Sequence, residues 1–164
     1  MLLAWWVAGI LVGCFGLGAL LGAPFLPVFR RDALTALDLA QLQPGQTIID
    51  LGSGDGRLLL AAAKRGATAI GYEINPLLVV WSKLVTWRYR RLVTIRWADM
   101  WRVTLPPADV IYTFLLDRYM QRLDRKLTAE VTTSTIVVSY VFKLPRKPIK
   151  TTHNTFVYRY PHHT

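Results

Sequence analysis

Between Ile48 and Leu60 the chain reads IIDLGSGDGRLLL: an apolar run, an acidic turn with three glycines, and a second apolar run. A short buried strand that turns on glycines into a helix is the opening unit of a parallel sheet. Gly52, Gly54 and Gly56 let the backbone come close to a ligand, and the helix after them points free N–H groups the same way. Alternation continues downstream. The pattern predicts strands over 47–51, 69–74, 93–98, 109–115 and 135–142, and helices over 32–42, 56–65, 76–90 and 117–129. Asp32 reads as the cap of the first helix. Segments 149–152 and 155–160 flank His153-Asn154 as a closing hairpin. Such alternation implies an α/β fold with a parallel sheet and helices on both faces.

In a sheet of this kind the ligand lies beyond the carboxyl ends of the strands, where strand order reverses. A dinucleotide turn needs G-x-G-x-x-G, yet Arg57 stands where the last glycine belongs. The turn also begins with Asp50, which would repel a pyrophosphate. An acid there suits a cationic end instead, such as the ammonium of a methionine moiety. S-adenosylmethionine carries that end together with a ribose and an adenine. Asp50, Gly52, Ser53, Gly54 and Gly56 would line its methionine part. Glu73, ending the second strand, would accept from the ribose hydroxyls, with Asn75 just beyond it. Asp99 would accept from the adenine amino group, with Met100 or Trp101 against the ring.

The chain has 164 residues, with 20 Lys+Arg against 10 Asp+Glu and a net charge of +10. Such a balance points to an acidic partner surface without choosing among nucleic acid, anionic lipid and protein. Cys14 is the one cysteine, so no intrachain disulfide forms. No charged residue precedes Arg30, and residues 2–22 provide the roughly 20 apolar positions that a membrane-crossing helix needs. Trp5 and Trp6 sit where an interfacial anchor would, and Arg30 and Arg31 put the remainder on the cytoplasmic side. A cleaved signal would carry a basic start, and a buried helix would show a polar face. The expected division is therefore a transmembrane anchor at 1–23, a Pro-containing linker and pre-domain helix at 24–46, and a catalytic domain at 47–164. Gly9 with Gly13, and Gly18 with Gly22, match small-residue helix contacts.

The sequence resembles the small membrane-anchored seven-β-strand protein-lysine methyltransferases. That family includes the enzymes acting on the ATP synthase c-subunit and the adenine nucleotide translocase, with prokaryotic relatives. The resemblance rests on PFLP (Pro24 to Pro27), DLGSGDGR (50–57), AAAKRGATAIGYEINP (61–76), Trp81, Trp87 and ADMWRVTL (98–105). It implies a Rossmann-like class I S-adenosylmethionine-dependent methyltransferase sheet with a closing C-terminal hairpin, preceded by one N-terminal transmembrane helix. It places Asp50, Gly52, Gly54, Glu73 and Asp99 in the cofactor site. It also implies that Pro24, Phe25, Leu26 and Pro27 fold over the active site and bind substrate. The chain departs from its relatives at Phe142 to Pro148, where they tend to carry an aromatic Pro-rich element with Trp.

Methyl transfer to a lysine of a membrane-associated protein is the activity expected on this reading. The amine must first lose a proton, which burial beside a sulfonium makes easier. Asp55 and Asp117 are the candidates to orient it, against plainer roles as a turn residue and a helix N-cap. Thr113-Phe114-Leu115-Leu116 replaces the Asn-Pro-Pro-Tyr of amide and adenine N-methyltransferases. Trp87-Arg88-Tyr89-Arg90-Arg91 suits an anionic headgroup face better than nucleic acid once an anchor is assumed. Arg118, Arg122, Arg125 and Lys126 read as a solvated or lipid-facing stripe. His153, His162 and His163 lack the partners of a metal site. The competing functions are methylation of a lipophilic, quinone-like small molecule and a non-catalytic RNA-binding module.

Overall fold

The structure, a computed structural model, describes residues 30–160. In order along the chain these form α1 (Arg30–Leu39), β1 (Thr47–Leu51), α2 (Arg57–Lys64), β2 (Thr68–Glu73), α3 (Pro76–Val85), β3 (Val93–Trp97) and β4 (Val110–Thr113). Then come α4 (Met120–Glu130), β5 (Thr135–Tyr140), β6 (Lys150–Thr152) and β7 (Thr155–Tyr160). Short 3₁₀ turns cover Trp87–Tyr89 and Asp117–Tyr119.

The strands form one sheet in the order β3-β2-β1-β4-β5-β7-β6. β1 to β5 run parallel, whereas β7 pairs antiparallel with both β5 and β6. Burial explains the composition of each strand. Central β1 and β4 are covered on both faces and read as near-continuous buried runs, TIIDL and VIYT. Edge strand β3 alternates, with Val93 and Ile95 buried and Thr94 and Arg96 exposed.

Two cores lie against the sheet. Ala33, Ala36 and Leu37 of α1, Leu58, Leu59 and Ala62 of α2, and Val79 of α3 pack on one face with Ile48, Val110 and Val138. Met120, Leu123 and Leu127 of α4 pack on the other with Ile49, Leu51, Ile111 and Val137. The segment between β3 and β4 forms no helix and is pinned to α4. Lys126 Nζ donates to the Val103 carbonyl at 2.6 Å, and Glu130 Oε2 accepts from Leu105 N–H at 3.0 Å.

Several expectations need correction. The first helix ends at Leu39, and Asp32 sits inside its first turn, where it accepts a hydrogen bond from Tyr140. The helix expected over 76–90 stops at Val85, because Thr86 leaves helical geometry and bonds Ser82 O through its hydroxyl at 2.7 Å. Helix 117–129 begins as a 3₁₀ turn. Its cap is extended Leu116, with no side-chain cap bond, so Asp117 is not a cap. Strand 135–142 ends at Tyr140, since Val141 turns to φ 69 and bonds the Asn154 carbonyl. Of the basic stripe, Arg118, Arg122 and Arg125 are exposed as expected, and Lys126 departs from it. The Lys126 side chain is only 8% exposed, and Arg122 lies 4.2 Å over the Trp101 ring.

The membrane-spanning localisation is corrected too: among the described residues no helix is long and apolar enough to cross a membrane. The longest of them has 11 residues and spans about 16 Å, against about 30 Å of hydrocarbon. The 1–23 anchor and the Pro24, Phe25, Leu26 and Pro27 linker lie outside the described residues.

One contact fixes how closely the glycine turn approaches the sheet. A Cβ on Gly71 would lie 2.6 Å from both Ser53 Oγ and Leu59 Cδ1, and 2.8 Å from Ser53 Cβ. Gly71→Ala is therefore expected to cost about 1–3 kcal/mol through overpacking. Thermal unfolding should show it as a Tm lowered by about 2–4 °C per kcal/mol.

Candidate functional site

β1 lies between β2 and β4, and the connections leave it in opposite directions, so a crevice opens at its carboxyl end. The glycine turn folds back over β2 there. Gly52 N–H and Ser53 N–H both donate to the Tyr72 carbonyl, at 2.9 and 3.0 Å. Gly56 takes the left-handed conformation, φ 78, at the head of α2. A Cβ on it would lie 2.8 Å from Ser82 Cβ, so the α2 terminus sits hard against α3. That packing leaves the turn's backbone facing the strand ends.

Glu73 closes the site from the second strand. Its Oε2 accepts from Gly54 N–H at 2.9 Å and its Oε1 from Asn75 N–H at 2.8 Å. Each oxygen retains a further lone pair for a ligand hydroxyl. Asn75 in turn caps α3, its Oδ1 accepting from Leu77 N–H at 3.0 Å ahead of Pro76 at the first helical position. The third strand is tied in through Ala98 N–H to Glu73 O at 3.0 Å, and Trp97 Nε1–H to Ile74 O at 3.0 Å.

Asp50 differs from these acids. It is 3% exposed, and no hydrogen bond or ion pair reaches its carboxylate among the described residues. Burial pushes its pKa well above the ordinary value, and the nearby charges of Glu73 and Asp55 push the same way. A buried, unpaired carboxylate is costly and is relieved by a cation. Ser53 Oγ is also buried without a partner. Here the structure brings together Asp50, Gly52, Ser53, Gly54, Gly56, Glu73 and Asn75.

The remaining predicted residues stand further from this knot. Asp99 lies just past β3 on the same edge of the sheet. Its Oδ1 accepts from Trp101 N–H at 2.9 Å, and Arg102 Nε lies 3.5 Å from its Oδ2. Met100 is buried in the core on the α4 side, and Trp101 stands 5.9 Å from the Tyr119 ring. Asp55 is gripped by Arg57, whose Nε lies 3.0 and 2.8 Å from its two oxygens. Both oxygens of this carboxylate are therefore engaged by its own turn. Asp117 is exposed. Sequence reasoning missed Tyr112, Tyr140 and the bonded role of Asp32. Phenols inside strands carry no spacing signal that separates site from core.

Because Asp50 is harder to ionise in the fold than in the unfolded chain, it costs stability at neutral pH. That cost accumulates as pH rises from the ordinary value of 3.8 through the raised folded value, since the folded state then holds more protons. Asp50→Asn is therefore expected to raise the Tm of the ligand-free protein at pH 7. The gain should vanish as the pH approaches 3.8 in a series of thermal melts.

A family model for the ANTKMT methyltransferase domain matches residues 50–151. The ATP synthase c-subunit lysine N-methyltransferase of Homo sapiens is 33% identical over 124 residues, covering 74% of this chain and 53% of that protein. The adenine nucleotide translocase lysine N-methyltransferase of Mus musculus is 38% identical, covering 76% and 56%. A protein-lysine N-methyltransferase of Saccharolobus islandicus is 30% identical, covering 77% and 84%. The chain thus spans about half the length of the first curated relatives it matches. Among solved structures, an RNA methyltransferase from Salinibacter ruber in complex with S-adenosyl-L-homocysteine superposes with a TM-score of 0.80 at 28% identity, covering 85% of this chain and 96% of that one. With its glycine turn, strand order and paired acids inside the matched region, this chain belongs to the ANTKMT methyltransferase domain family.

Proposed function

We propose that this chain transfers a methyl group from S-adenosylmethionine to the side-chain amine of a lysine in a protein. The observation that carries the reading is the Asp50 carboxylate, buried and unpaired at the sheet's switch point. It fits the ammonium of the methionine moiety. Glu73 fits the ribose, since both its oxygens are held in place by backbone N–H groups of the turn and of Asn75. Gly52, Ser53, Gly54 and Gly56 shape the floor beneath the methionine, and Asp99, Met100 and Trp101 border the adenine end. The names of the curated relatives support lysine as acceptor.

S-adenosylmethionine supplies an activated methyl on a positive sulfur that leaves as a neutral thioether. The chain's own work is therefore positional. Asp50 and Glu73 would hold two ends of one ligand and so fix its position at the carboxyl end of β1. The close apolar packing around β1 and β4 excludes water, which eases loss of the proton from an incoming ammonium. Asp55 stays paired with Arg57 and serves to hold the turn in shape. A second reading, RNA as methyl acceptor, is favoured by one observation, the superposition on an RNA methyltransferase.

Calorimetry with S-adenosylmethionine tests the first part: saturable binding is expected for the wild type. Glu73→Ala should weaken it about 100-fold or more, by removing two charge-assisted hydrogen bonds. Binding that is absent, or indifferent to Glu73, would refute the cofactor site. Incubating the protein with radiolabelled S-adenosylmethionine and a cell extract tests the second part. Label recovered as methyllysine after acid hydrolysis is expected, and label confined to RNA or to the organic phase would overturn the acceptor.

A further inference from the structure

A polar seam remains on the α1 side of the sheet. Asp32, in the first turn of α1, accepts from Tyr140 Oη at 2.7 Å. Tyr140 ends β5, and its ring meets Phe114, just past β4, edge-on at 5.0 Å. Tyr112 lies behind them on β4. It is 3% exposed, and its hydroxyl is buried with no partner. In the β1–β4 register Tyr112 is paired with Asp50, so both side chains lie on the same face of the sheet. Burial first, then the charges of Asp50, Tyr140 and Asp32, push Tyr112 upward. Tyr140 is raised to about 12 by burial and by its bond to Asp32, so both phenols remain donors at neutral pH.

The seam is thus acidic and aromatic on a protein of net charge +10. No Lys or Arg among the described residues forms an ion pair with Asp32. A carboxylate without an ion pair, beside two rings that meet edge-on, is an environment that holds an alkylammonium. Given the methyltransferase reading above, on which this rests, we propose that Asp32, Tyr140 and Phe114 form the acceptor site. In it the Asp32 carboxylate, steadied by Tyr140, receives the incoming lysine ammonium, and the rings flank its methylene chain. The orphan Tyr112 hydroxyl lies on the same face of the sheet, on the residue in register with Asp50. In the transfer the amine has given its proton to solvent. Its nitrogen forms the N–C bond as the S–C bond breaks, and the positive charge left on nitrogen falls beside Asp32.

The test uses n-butylammonium, a lysine side chain without its backbone, titrated into protein saturated with S-adenosylhomocysteine and followed by NMR shifts. Saturable shifts are expected for the wild type, with 1-butanol producing none. Tyr140→Phe and Asp32→Asn should each weaken butylammonium binding about tenfold or more. Both should keep S-adenosylhomocysteine affinity within about twofold of wild type by calorimetry. Unchanged butylammonium binding in both variants would overturn the proposal, as would a wild type without saturable shifts. Variants that lose S-adenosylhomocysteine instead would assign the seam to the cofactor and also overturn it. If Asp32→Asn fails to fold, Tyr140→Phe decides alone, since its ring is retained. A wild type that does not bind S-adenosylhomocysteine at all removes the methyltransferase reading and this inference together.

Discussion

The turn after β1 is pulled back over the second strand by three backbone donors, Gly52 and Ser53 onto Tyr72 O and Gly54 onto the Glu73 carboxylate. Gly71 makes room for this, since Ser53 occupies the place its side chain would take. Almost everything at the site follows from that fold-back. It brings the acid of the second strand against the loop of the first. Asp50, at the end of the first strand, is buried beside it.

Such an arrangement is electrostatically expensive. The charges of Glu73 and Asp55 both act on Asp50, and among the described residues only Asp55 of the three has a cation of its own, Arg57. The rest of the molecule offsets the cost by apolar packing on both faces of the sheet. A site with unmet negative charge inside a basic protein selects for cationic ligands. This is the same logic that excludes a pyrophosphate, and it extends along the sheet to Asp32.

The far side is held differently. Asp124 of α4 accepts from Arg146 Nε and from Tyr160 Oη, both at 2.5 Å, while Arg146 lies 3.9 Å over the Tyr160 ring. Leu144 N–H donates to Tyr158 Oη at 3.0 Å. Together these bonds dock the Pro-rich 142–148 segment onto α4 and the final strand.

The sheet was legible because its signal is local: buried strands are continuous apolar runs, and glycines mark the turn between strand and helix. For the same reason the acids at successive strand ends could be named from spacing alone. Helix ends were read less well, because Thr86 and Leu116 break the pattern through bonds and backbone angles rather than composition. α3 shows the limit. Val79 and Ser82 face inward while Val80, Trp81 and Leu84 are exposed, so apolarity does not mark its buried face. By itself the sequence determined the parallel α/β order and the acidic glycine turn, because both depend on neighbours within a few residues. Only the tertiary structure decided that Asp32, Tyr112 and Tyr140, far apart along the chain, share one seam beside Asp50. Their meeting depends on strand order and on which face each side chain takes, and neither is written in local spacing.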